Sequence, residues 1–191
     1  MAKSDATITF EQMKGAVGSL LLLWSEIERE LAESLIRLNG GRSAKPAHGI
    51  EKSIEFWILE LQRNSCRQDQ VIELRSGFGS HLSDALKVRN SVCHGLVGIT
   101  AGCPSGGEEA HLTVELSGET RILGWSELQS MFRWMSKASS LIHNLTTATL
   151  EKDLGRLDMH LEKWTDYVFQ EQRIESEIVS VQFVQSKRGG V

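Results

Sequence analysis

From Thr9 to Asn39 the apolar residues Met13, Val17, Leu20, Trp24, Ile27, Leu31, Leu35 and Leu38 recur every three or four positions. That spacing gathers them on one stripe of an α-helix. Thr9 is placed to cap the helix and Gly40-Gly41 to close it, so a long first helix is predicted from Thr9 to about Asn39. Glu26, Glu30 and Glu33 fall off the stripe, whereas Glu28 lies at its edge beside Trp24 and Leu31. Residues 40–49 read as loop by their Gly and Pro content. Ile50, Ile54, Trp57, Ile58 and Leu61 then predict a second helix over about 50–64. Residues 67–76 continue helically through Val71 and Leu74, and the Gly77-Phe78-Gly79 run is expected to loosen or break the chain before a helix over about 80–94.

The period changes after that helix. His111–Leu116 alternates polar and apolar, Ser117-Gly118 can turn, and Glu119–Leu123 returns, which predicts a β-hairpin at about 111–124. Leu96–Thr100 offers a third short strand, and residues 101–107 are loop. Ser126 with Gln129 has the spacing of a capping box, opening a helix that carries Leu128, Phe132, Met135, Ser139, Ile142 and Leu145 to about Leu150. Gly155 marks a bend. Leu157, Leu161, Trp164 and Val168 resume helical spacing toward Ile178, residues 179–183 read as strand or fraying helix, and residues 186–191 as a flexible basic tail. The expected fold class is mainly α: a helical bundle over residues 1–150 with a small β-hairpin after the 80–94 helix, then a helical C-terminal extension over 151–191.

Composition narrows the setting. A chain of 191 residues with 40% hydrophobic content suits one well-buried domain. The start lacks the features of a secretory signal, and the Leu20–Trp24 apolar run is far too short to span a bilayer. Cys66, Cys93 and Cys103 form neither a disulfide framework nor a set with metal-ligand spacing, so a cytoplasmic protein with free thiols, no metal and no cofactor is expected. The net charge of −4 argues against broad non-specific binding to nucleic acid. Only residues 63–94 carry an excess of positive charge, through Arg63, Arg67, Arg75, Lys87 and Arg89 against Asp69, Glu73 and Asp84. That fits a small phosphate-facing patch, or chance clustering on a solvated face.

Within that window lies Leu86-Lys87-Val88-Arg89-Asn90-Ser91-Val92-Cys93-His94-Gly95. At about 100° per residue, Leu82, Ala85, Leu86, Val88, Val92 and Cys93 share one side of a helix, and Ser83, Lys87, Asn90 and His94 the other. Asn90 and His94 are neighbours one turn apart. Arg89 projects into the apolar side, and burying a guanidinium without an acid or phosphate partner is costly, so its position implies a partner. Gly95 is a natural terminator in the left-handed conformation. Arg42 and His48 have similar spacing but sit in a Gly/Pro loop.

The Arg-Asn-x-x-x-His-Gly run, closing an amphipathic helix of a mostly helical chain, resembles the signature of the HEPN superfamily. The resemblance covers about residues 9–150, and Trp24-x-x-x-Glu28 is similar to a feature of some bacterial relatives. It implies a metal-independent endoribonuclease, with Arg89, Asn90 and His94 as catalytic residues and Glu28 and Lys87 in support. It also implies a homodimer in which two motifs line one cleft, an RNA substrate, and a toxin–antitoxin or phage-defence role with an antitoxin protein as a further partner. A non-catalytic HEPN-type module binding RNA, a nucleotide or a protein is the alternative.

The chemistry suits these residue types. Histidine populates acid and base forms near neutrality, and so can activate a 2′-hydroxyl or protonate a departing 5′-oxygen. The arginine fork matches phosphate oxygens. Each residue also has a plainer reading. His94 can simply favour a helix C-terminus, and Asn90 can be a surface amide. Glu28 either meets Arg89 or turns to solvent. Adjacent Cys93 and His94 point about 100° apart, so Cys93 is expected to pack as a small apolar residue and not to act as a nucleophile. His111, His143 and His160 lack ligand spacing. The five tryptophans sit mostly at apolar positions, which favours core packing over base stacking.

Overall fold

The computed structural model describes residues 7–42, 49–64, 68–103, 109–160 and 162–163, with backbone alone for 68–76. The protein is mainly helical with a small antiparallel sheet: α1 (Phe10–Leu38), α2 (Ile50–Asn64), α3 (Gln68–Gly95), β1 (Leu96–Thr100), β2 (His111–Leu116), β3 (Glu119–Gly124) and α4 (Trp125–Glu151). A short helical stretch follows at 154–160.

Helix α1 begins where its sequence signals it. Thr9 Oγ1 accepts from the Gln12 amide at 3.2 Å, and Gln12 Oε1 accepts from the Thr9 amide at 2.8 Å. Two of the four orphan donors of the first turn are thereby satisfied. Gly40 and Gly41 both take positive φ past its end, and the Gly41 amide donates to Ile36 O at 2.9 Å. The stripe Met13, Leu20, Trp24, Ile27 and Leu31 is buried to within 1%, and α1 packs mainly against α4, with α2 alongside and α3 packed on α2 and touching α1.

Two buried contacts hold the helices in register. Trp57 on α2 donates its indole N–H to Thr146 Oγ1 on α4 at 3.0 Å. The Trp57 and Phe78 rings meet edge to face, with centroids 5.9 Å apart. Phe78 explains why the expected break at Gly77–Gly79 does not occur: α3 runs unbroken, because the fully buried phenyl ring between the two glycines anchors it. At Gly79 a Cβ would lie 3.2 Å from Ile58 Cδ1, so the missing side chain lets α2 come close.

The strands follow the alternation of the sequence. They order β1-β2-β3, all antiparallel, with Leu112 opposite both Ile99 and Leu123. Ser117 and Gly118 both have positive φ, as a two-residue hairpin turn requires. A β-bulge lies between Leu96 and Gly98.

Two boundary expectations are corrected. No Ser126–Gln129 capping box forms: Gly124 is the N-cap of α4 and supplies no side-chain bond. Instead Glu109, seventeen residues upstream, accepts from the Ser126 amide at 2.6 Å, and Ala110 O accepts from the Trp125 amide at 2.8 Å. Nor is the bend at Gly155. The chain turns at Lys152, which caps α4 in the left-handed region, and Asp153 Oδ1 accepts from the Arg156 amide at 3.0 Å to open the next helical stretch. Leu161, Trp164, Val168 and residues 179–191, for which helical spacing, a strand or fraying helix and a basic tail are expected, lie outside the described residues, as does Cys66. Among the described residues, no helix is long and apolar enough to cross a membrane.

Candidate functional site

The last four turns of α3 carry every candidate residue of the Arg-His motif. Leu82, Ala85, Leu86, Val88 and Val92 are buried, which fixes the rotation of the helix. Lys87 and His94 are then exposed, and Arg89, Asn90 and Ser91 partly buried. Cys93 does not pack as expected. It is exposed, although Val92 and Gly95 on either side of it in the chain are buried, so at the helix end the buried strip is narrower than the apolar side of the sequence pattern.

Gly95 acts by closeness, not by handedness. It is absent from the positive-φ positions, and α3 passes directly into β1. A Cβ here would lie 2.8 Å from the Glu115 carbonyl carbon and nearer still to its oxygen. The buried glycine thus lets β2 cross the helix end, which holds His94 at the rim of the sheet.

Arg89 and Glu28, each on an otherwise apolar face, do not meet. Glu28 Oε1 accepts from the indole N–H of Trp24 on its own helix at 2.6 Å, and among the described residues no ion pair joins it to Arg89. One turn of helix satisfies the carboxylate before any long-range partner is needed. Arg89 donates from Nη1 to Asn90 Oδ1 at 2.9 Å, and its Nε is buried without a hydrogen-bond partner. Asn90 therefore touches Arg89, its chain neighbour. A guanidinium held by a neutral amide, with one donor unsatisfied, is the group that an anion would complete.

Within one chain Arg89 and His94 diverge. Five residues along a helix is a rotation of about 140° and a rise of about 7.5 Å, so they do not face one point. The basic patch is also thinner than its composition. Lys87 Nζ meets Asp84 at 2.9 Å, both exposed, and the exposed Arg63 meets the partly buried Glu60 at 2.5 Å, each pair on its own helix. Arg67 and the Arg75 side chain lie outside the described residues.

Two surface clefts lie elsewhere. One, about 330 Å³, opens between α2 and α3 beside Glu51, Glu55, Gly79 and Ser83. Its two carboxylates, Glu51 and Glu55, would repel a phosphate chain. The other, about 250 Å³, lies beside α4, lined by Trp134, Lys137, Asn144, His160 and Lys163 among others. There burial and the Lys163 and Arg156 charges hold His160 below the usual histidine range. Among the described residues no three His, Cys, Asp or Glu side chains are grouped to hold a metal ion.

A polar contact that the sequence pattern missed joins α1 to α4. Glu30 accepts from Ser34 at 3.2 Å and meets His143 Nδ1 at 3.1 Å, while Arg37 donates to Thr147 at 2.8 Å. No periodicity signals such a pairing, since its partners are more than a hundred residues apart. No family model matches the chain, and no curated protein or solved structure matches it either.

Proposed function

We propose that the protein is a metal-independent endoribonuclease of HEPN type that works as a homodimer in the cytoplasm. The observation that carries the reading is Arg89, a partly buried guanidinium with no acidic partner among the described residues and an unsatisfied Nε, five residues before an exposed His94. Because the two side chains diverge on one helix, a second copy must supply the complementary histidine or arginine. In the proposed reaction one His94 takes the proton of a 2′-hydroxyl. The 2′-oxygen attacks phosphorus, the bond to the 5′-oxygen breaks, and the other His94 protonates that leaving oxygen. Arg89 stabilises the charge on the phosphorane oxygens, with Asn90 fixing the guanidinium and Lys87 adding positive potential nearby. Glu28 takes no part, since Trp24 holds it. The products are a 2′,3′-cyclic phosphate and a 5′-hydroxyl. An activity of this kind fits a toxin or phage-defence component restrained by an antitoxin protein.

A second reading is favoured by the single histidine that each chain brings to the motif. A HEPN-type module without catalysis would use Arg89 to hold RNA, a nucleotide or an acidic protein surface. Incubation with structured RNA in EDTA separates the two. The ribonuclease reading expects cyclic-phosphate products, a loss of about 10²–10⁴-fold in rate with His94→Ala, and an unchanged melting temperature, since His94 is exposed. RNA binding that Arg89→Ala weakens, with no product at any enzyme concentration, would establish the binding module instead.

A further inference from the structure

The cavity of about 250 Å³ beside α4 differs in charge from the one between α2 and α3. Lys137, Ser140, Leu141 and Asn144 recur every three or four residues, so a single stripe of α4 supplies one wall. His160 and Lys163, which follow α4 in the chain, add to its polar lining. Trp134 and Leu141, 8% and 9% exposed, give it an apolar part. Among the described residues no Asp or Glu lines the cavity, although the whole chain carries a net charge of −4. Arg156 is paired with Glu151 at 2.9 Å, whereas Lys163 has no carboxylate partner among the described residues. The positive potential is felt inside: after burial, the Lys163 charge is the larger cause that holds His160 below the usual histidine range. A cleft lined by one sign of charge concentrates ions of the other.

We infer that this cavity binds a small organic phosphate monoester, with the phosphate between Lys137 and Lys163 and the organic group against Trp134 and Leu141. Charge selects the phosphate. A monoester carries about −1.5 to −2 near neutral pH, which two ammonium groups balance, whereas a carboxylate would leave one of them uncompensated. Asn144 and Ser140 add an amide and a hydroxyl donor, and the neutral His160 ring adds one N–H. Volume selects the body of the ligand. The cavity falls just below the range of about 300–1,000 Å³ that holds drug-sized ligands, which leaves room for one ring and not for a polymer strand. It shares no residue with the Arg89–His94 motif, so an anion held there is independent of the ribonuclease reading.

Isothermal titration calorimetry of the full chain with phenyl phosphate tests it, with inorganic phosphate and phenol as the two halves of the probe. Phenyl phosphate is expected to bind once per chain with a Kd on the order of 0.1–1 mM. Inorganic phosphate should bind about tenfold more weakly, because it leaves the apolar wall uncovered, and phenol should give no measurable heat. Lys137→Gln and Lys163→Gln should each raise the Kd for phenyl phosphate about tenfold. Both side chains are exposed, so the melting temperature should stay unchanged. Absence of binding at millimolar phenyl phosphate would overturn the inference. So would equal affinity for phosphate and phenyl phosphate, which is an ion on surface lysines only, or binding that both lysine variants leave intact. Binding lost with Arg89→Ala and kept in the lysine variants would place the anion at the motif and overturn it equally.

Discussion

Gly95 and Arg89 show how much one residue's surroundings add to its identity. Both were singled out by their place in the motif, yet neither acts as its type suggested. Gly95 is needed because the Glu115 backbone passes where a Cβ would be. Gly95→Ala should therefore cost about 1–3 kcal/mol in urea or thermal unfolding, although alanine is the better helix former. A gain in stability would mean that β2 can back away from the helix end. Arg89 was expected to have a partner, and its nearest one is the amide of Asn90. Asn90 thus holds the Arg89 guanidinium, a contact between chain neighbours that helical spacing does not signal.

Among the elements, the long helices were legible because each alternates buried and exposed positions at helical period over several turns. The hairpin was legible because a two-residue turn separates two alternating runs. Helix ends were legible only where the cap is local. Thr9 and Gln12 could be read from their spacing, but the cap of α4 comes from Glu109 across the hairpin. Glu109 sets a carboxylate against the first turn of the helix, where the macrodipole favours it. Glu109→Ala should lower stability by about 0.5–2 kcal/mol, whereas Ser126→Ala should change it little. Chemical denaturation of the two variants side by side distinguishes this cap from the one that the Ser126–Gln129 spacing suggests.

At the scale of the molecule, α2 is tied to α4 through one buried hydrogen bond. Trp57 is fully buried and its indole N–H donates to Thr146, itself at 0% exposure. Thr146→Val keeps the volume but strands that donor, at an expected cost of about 1–3 kcal/mol. Thr147→Val, which removes the acceptor of Arg37 at the partly buried α1–α4 seam, should cost less because a guanidinium there can turn to water. Melting temperatures of the two variants give the comparison, and equal losses would show that the Trp57 bond has no special weight.

Among the described residues the sequence by itself determined where the helices and strands lie apart from the join within α3, which face of each is buried apart from Cys93, and that Arg89 and His94 belong to one helix end. Those features depend on neighbours within a few residues, whose periodicity is written along the chain. Only the tertiary structure decided that α3 passes unbroken through two glycines, that Glu28 is taken by Trp24 and not by Arg89, and that Glu109 caps α4. Each of these depends on which group arrives first at a donor or a gap, and that is set by packing between segments distant in sequence or by a rotamer that the pattern does not specify.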